Sequence, residues 1–273
     1  MEALDWAHRE GNGLRETTPQ VELIARPSID FDALERYLDY VGGQSWLEMR
    51  REQPDGLSPG ELLIEVGGRA CYRSWKEGLN PNVTRIRRDA EQYFLNLLRS
   101  GHGSVLEHAN YSFIVYDVSR ILTHELVRHR AGSAFSQESL RFVRLQDLGF
   151  RIPEVLEPLR SQVVSIVETL EEFQIAAAEH FGLDDEGIPF HHKKEITSAL
   201  RRLAPEGLST VILWTANVRT LRHTIAARTD PGAEEEIRLV FDKIGRIMVQ
   251  EAPLLFGDFT VHDGAWTTEY KKV

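Results

Sequence analysis

Apolar residues recur at helical spacing along much of the chain. Phe31, Leu34, Leu38 and Val41 predict one helix. Residues 61–73, ELLIEVGGRACYR, predict another despite Gly67 and Gly68. Asn82 can cap a helix whose apolar positions are Val83, Ile86, Ala90, Tyr93 or Phe94 and Leu97, with Gly101 as its stop. Leu159, Val163, Ile166, Leu170, Phe173 and Ala177 mark the expected inward face of a long helix, and a second helix follows at about 190–203. Asp230-Pro231 reads as a cap and first-turn proline, opening a helix with Ile237, Val240, Phe241, Ile244 and Ile247 inward.

Other stretches carry strand composition. Val21–Ala25 is a short apolar run, and residues 109–117, ANYSFIVYD, are rich in aromatic and β-branched types. A helix from Ser119 to Arg130 follows, then a strand at 138–145, ESLRFVRL. The run STVILW fits a strand or a buried helix, which periodicity does not separate. Glycines, prolines and charges between Gly42 and Gly60 predict a surface loop. The pattern divides the chain into an N-terminal extension (1–20), one domain (21–260) and a C-terminal tail (261–273). Helices and strands mix without regular alternation, so the fold class is α+β.

Composition narrows the function. A formal charge of −10 argues against duplex nucleic acid, whose binding rests on neutralising phosphates. The single cysteine, Cys71, excludes an internal disulfide framework and a thiolate-rich zinc site, and suits a reducing compartment. No apolar run approaches the roughly 20 residues that span a bilayer. The polar first residues carry no apolar leader. The expectation is a cytoplasmic protein with neither nucleic acid nor membrane as partner.

Three clusters carry chemistry. In Glu125–Leu145, the triplet Arg128, His129 and Arg130 stands at a predicted helix end, where cations offset the helix dipole by roughly 0.3 to 1 kcal/mol each. In the strand expected next, Ser139 and Arg141 share one face opposite Leu140 and Phe142. A hydroxyl and a guanidinium facing three basic residues suit a phosphate-bearing ligand. The second cluster, GHGSVLEH, offers His102, Ser104, Glu107 and His108 between close-approach glycines, with a metal site as the competing reading. His191-His192, followed by two lysines, reads as a solvated helix start. The third, Trp214–Asp230, places Asn217 and Arg228 on one side of a helix and Arg219 and His223 on the other, which suits ligands or subunits on two sides.

In this order the clusters resemble the flavin-dependent thymidylate synthases, whose hallmark is Arg-His-Arg, a short spacer and Ser. The resemblance runs over about 61–253 and includes Cys71-Tyr72, GHGSVLEH, THELVRHR, SQESLRF, WTANVRTLRH and AARTDPGAEEEIR. It implies a mixed α and β fold with long helices, assembled as a homotetramer with active sites between subunits. It also implies transfer of a methylene from methylenetetrahydrofolate to C5 of a uridylate, with FAD reduced by NADPH as hydride source. Ser104, Arg128, His129, Arg130, Gln137, Asn217, Arg219 and His223 fall on flavin positions. Glu125, Arg128, Gln137, Ser139, Leu140, Arg141, Arg201 and Arg228 fall on nucleotide positions. Arg228 matches the arginine that activates the pyrimidine, and His102 a histidine near folate and flavin.

The sequence departs from the family pattern in three ways. Eight residues, AGSAFSQE, separate Arg130 from Ser139 where seven are usual. His223 stands where some members have Asn, and Phe142 where Tyr is usual. The N-terminal extension and the 42–60 stretch are additional. The altered spacer keeps UMP, alone or beside dUMP, as an alternative substrate, as in nucleoside-antibiotic pathways. A flavin- or nucleotide-binding protein without methyl transfer is the alternative of another class. A nucleophilic Cys71 is a further one, set against a buried structural thiol.

Overall fold

The computed structural model describes residues 14–52, 56–141 and 149–273. Most of the predicted extension and the 142–145 end of the predicted strand, Phe142 included, lie outside the described residues. In chain order the elements are β1 (Gln20–Ala25), α1 (Phe31–Val41), α2 (Gln44–Arg51), α3 (Pro59–Tyr72), α4 (Ala90–Arg99), β2 (Asn110–Ser119), α5 (Arg120–Leu126) and β3 (Ser133–Gln137). They continue with α6 (Arg160–His180), α7 (Phe190–Leu200), β4 (Ser209–Asn217), α8 (Val218–Arg228), α9 (Glu235–Glu251), α10 (Pro253–Phe256), β5 (Thr260–His262) and β6 (Ala265–Thr267). The mixture of helix and sheet is that of the α+β class. Among the described residues, no helix is long and apolar enough to cross a membrane.

The chain divides into two compact units interleaved in sequence. The larger comprises Gln20–Val115, Glu125–Ser136 and Ile212–Val273, and the smaller the described residues up to Pro19, Tyr116–His124 and Gln137–Val211. The four-stranded sheet runs in the order β1-β2-β4-β3, so STVILW is a strand. In the larger unit Trp214 packs between Phe113 and Phe241, with ring centroids 6.1 and 5.5 Å away. Ile237, Val240, Phe241, Ile244 and Met248 form the buried stripe of α9.

Several local expectations change. The stretch 42–60 is not simply a loop, because α2 buries Trp46 and Leu47 against Leu38, Leu62 and Trp75. Gly67 and Gly68 persist in α3 because His108 and Tyr93 occupy the space their Cβ atoms would need. The helix expected from Asn82 begins at Ala90, capped by Asp89, whose Oδ1 accepts from Gln92 N at 2.7 Å. Asp230 closes a turn onto Gly232 N, and α9 starts at Glu235 after the capping Glu234. On α6 the buried residues are Val167 and Ala177, while Leu159, Ile166 and Phe173 are exposed. Beyond residue 260 the expected tail forms the β5–β6 hairpin, whose buried Trp266 donates from Nε1 to Asp242 Oδ1 at 2.9 Å.

Candidate functional site

The helix expected to reach Arg130 stops at Leu126, and the basic triplet lies in the turn that follows. His129 N donates to Leu126 O at 3.1 Å and Ser133 N to Arg130 O at 3.2 Å, which curls the triplet back on itself. Gly132 turns the chain into β3 with a φ of 67°, in the left-handed region that side chains disfavour. A Cβ there would collide with Asn217 Nδ2 and Thr220 Oγ1, so the turn lies directly on the start of α8.

Asn217 is the cap of α8 rather than a member of one of its faces. Its side chain accepts from Thr220 N at 2.9 Å, and Thr220 Oγ1 donates to Ala131 O at 2.6 Å. The spacing Asn-x-x-Thr was the available signal for this cap. Residues of the turn and of α8 line a cavity of about 500 Å³, among them Arg128, His129, Arg130, Asn217, Arg219 and His223. Six predicted flavin residues therefore meet in one place. The three guanidinium groups of Arg128, Arg130 and Arg219 around this cavity suit an anionic, phosphate-bearing cofactor.

At the other end of α8, Arg228 is fixed from three directions. Its Nη1 donates to Glu125 Oε2 at 2.9 Å, its Nη2 to Glu125 O at 3.4 Å, and its Nε to His129 Nε2 at 2.7 Å. The last bond requires an unprotonated Nε2. Burial first, then the positive charge of Arg228 and neighbouring His223, pushes the His129 imidazole down to about 4. The His129 and His223 rings meet edge-on at 6.0 Å.

The 3-10 turn Gly103–His108 serves two cavities. Glu107 accepts from Arg219 Nη1 at 2.6 Å beside the first, and Gly103 leaves room for the Arg219 guanidinium. His102 and Ser104 line a second cavity of about 280 Å³, together with Cys71, Tyr72 and Arg85. Tyr72 stands edge-on to His102 at 6.2 Å. Cys71 is exposed, which corrects the expectation of a buried thiol.

The remaining predicted nucleotide residues belong to the smaller unit. The strand expected at 138–145 is displaced, since β3 ends at Gln137 and residues 138–141 lie outside any strand. Ser139 and Arg141 nevertheless meet, through Arg141 Nε donating to Ser139 Oγ at 3.1 Å. Gln137 Nε2 donates to Thr123 Oγ1 at 3.0 Å. Leu140 is buried against Leu208. Arg201 opens the short turn after α7 and is exposed.

Sequence reasoning missed Arg222 and Glu65. Arg222 is buried and donates to Asp258 Oδ1 at 2.7 Å and Oδ2 at 2.8 Å, tying α8 to the C-terminal segment. Glu65 is fully buried and accepts from Arg50 and Arg69. An arginine inside a helix gives no sign of burial until its carboxylate partner is known.

A family model described as thymidylate synthase complementing protein matches residues 57–254. A flavin-dependent thymidylate synthase of Mycobacteroides abscessus is 35% identical over 215 residues, covering 77% of this chain and 84% of its own. One from a Mycobacterium species is 36% identical over 219 residues, covering 77% and 84%. Among solved structures, the UMP/dUMP methylase PolB from Streptomyces cacaoi, bound with 5-Br UMP, shares the fold. Its TM-score is 0.59 at 18% identity, covering 90% of this chain and 96% of its own.

Proposed function

The chain belongs to the flavin-dependent thymidylate synthase family, and from that premise we propose that it methylates C5 of a uridylate, with dUMP as substrate. Methylenetetrahydrofolate is the proposed carbon donor and NADPH the reductant. FAD, when bound, supplies the hydride. The cavity bounded by Arg128, Arg130, Asn217, Arg219 and His223 suits its anionic groups. His102 and Ser104 are assigned to the side where folate and flavin meet.

The fixed guanidinium of Arg228 is the observation that carries this reading. Glu125 and His129 hold it without reorganisation, so it can stabilise the negative charge that develops on a pyrimidine ring during attack from C5. His129 accepts from Arg228 Nε and stays neutral near pH 7, leaving the guanidinium the positive partner for the ring. Ser139, Arg141, Arg201, Arg128 and the backbone of Leu140 are assigned to the nucleotide, with Gln137 between flavin and nucleotide. No side-chain nucleophile is required, and exposed Cys71 is left outside the mechanism.

The eight-residue spacer between Arg130 and Ser139 favours a second reading, in which UMP is methylated alone or beside dUMP. Accepting a 2′-hydroxyl needs space and a hydrogen-bond partner, whereas rejecting it needs a clash or an unpaired group. Tritium release from C5-labelled dUMP and UMP, with FAD, NADPH and methylenetetrahydrofolate each omitted in turn, tests both. Release from dUMP that depends on all three supports the first reading, and release from UMP supports the second. No release from either substrate sinks methyl transfer and leaves a binding protein.

A further inference from the structure

Two buried atoms of opposite hydrogen-bonding character in the smaller unit have no partner among the described residues. They are Nη1 of Arg120, a donor, and Oε2 of Glu138, an acceptor when ionised. Both backbones are pinned. Arg120 N donates to Glu206 O at 2.9 Å, and Glu138 N to Val211 O at 2.9 Å. Thr123, one turn beyond Arg120 on α5, accepts from Gln137, so this face of the helix meets the residue just before Glu138. The two charges sense each other, since Glu138 works to raise the proton affinity of Arg120 and Arg120 to lower that of Glu138. Burial outweighs this attraction in both, and Arg201 adds a repulsive positive charge beside Arg120.

Buried polar atoms are rarely left unpaired in folded proteins. A phosphate or carbonyl oxygen would satisfy Arg120 alone and would set a second acceptor against Glu138. A hydroxyl satisfies both, accepting from the guanidinium and donating to the carboxylate. The flanking residues Gln137 and Ser139 are both assigned to the nucleotide above. We propose that Arg120 and Glu138 together bind a sugar hydroxyl of the uridylate and set how strongly the enzyme distinguishes one sugar from another. This rests on the uridylate reading and adds to it the groups that read the sugar.

Calorimetric binding of UMP, dUMP and 2′,3′-dideoxy-UMP to the flavin-loaded full chain tests the assignment. The wild type is expected to prefer a hydroxyl-bearing nucleotide to the dideoxy analogue by about tenfold, as for one lost hydrogen bond to a charged group. Glu138→Leu is expected to remove that preference while leaving dideoxy-UMP binding intact, which a merely structural role would not do. A loss confined to UMP identifies the 2′-hydroxyl, and an equal loss for UMP and dUMP the 3′-hydroxyl; either supports the pair. Arg120→Met, which removes the donor and keeps the backbone contacts, supplies the same comparison should Glu138→Leu fail to fold. A wild type that binds all three alike, or a preference that survives in the folded variant, overturns the inference and leaves uridylate binding standing. A wild type that binds none of the three overturns both.

Discussion

The proposed chemistry rests on one side chain of the larger unit, Arg228, whose orientation is set by Glu125 and His129. Removing a preorganised group of this kind costs on the order of 10² to 10³ in kcat. Arg228→Ala is therefore expected to lose turnover while flavin absorbance shows the cofactor still bound, because the cavity residues on the turn and early α8 are untouched. Arg228→Lys should restore little, since an ammonium cannot serve Glu125 and His129 with one planar fork. Normal turnover in the alanine variant would remove Arg228 from the mechanism. His129 adds a pH dependence. It takes up its proton near 4 in the folded protein, through burial and then the neighbouring positive charge, against 6.5 in an unfolded chain. Between these values the unfolded state binds more protons, so the stability is complete above pH 6.5 and is lost as pH falls through about 4. His129→Gln, which can still accept from Arg228 and does not titrate, is expected to show a smaller fall in Tm between pH 7 and pH 4. Parallel falls in variant and wild type would show that the acid sensitivity lies elsewhere.

At the scale of elements, α2 and α3 are joined by a buried charge network. Glu65 on α3 accepts from Arg50 Nε at 2.8 Å and Nη2 at 2.6 Å, from Arg69 Nε at 2.7 Å and from Trp46 Nε1 at 3.2 Å. The same guanidinium groups reach onward to Ser74 O, Arg87 O and Arg88 O, and so hold the segment that walls the second cavity. Removing the shared carboxylate takes this partner from two buried guanidinium groups at once, and breaking such a pair costs about 3 to 5 kcal/mol. Glu65→Ala should lose about that much in urea denaturation; a loss below 1 kcal/mol, the level of an exposed pair, would contradict the burial argument. This network also shows what the sequence concealed. α1, α3 and α9 were legible because each carries an apolar stripe at helical spacing. In α2 one of the three buried residues is Arg50, so its pattern looked like a loop. β3, SAFSQ, has no apolar alternation and is set by its place beside β4, so the strand was expected several residues too late. Of the candidate site, six of the residues that line the larger cavity were legible as an order of motifs. The seating of the basic triplet against α8 depends on contacts between segments far apart in the chain, Thr220 to Ala131 and Arg228 to Glu125 and His129.

The molecule carries an outward-facing apolar row along its long helix α6. Leu159, just before the helix, and Ile166 and Phe173 within it follow one another at seven-residue spacing, yet they are 51%, 62% and 45% exposed. Sequence periodicity found the stripe, of which Val163 and Ala177 do turn inward while Leu159, Ile166 and Phe173 face out, because an interface stripe and a core stripe have the same spacing. A row of exposed large apolar residues on one helix face is the mark of an interaction surface. The homotetramer that the family resemblance implies would give it an occupant, a second copy of the chain, and closed symmetry allows the same stripe to be used on each subunit. Light scattering on the wild type is expected to give the mass of four 31.2 kDa chains. Ile166→Glu combined with Phe173→Glu should yield a smaller species that keeps its helical circular dichroism, since neither side chain supports the core of its own chain. If active sites form between subunits, that variant also loses turnover with every residue of the Arg228 cluster intact. A tetramer that survives both substitutions would move the interface to another face, and a monomeric wild type would end the homotetramer proposal.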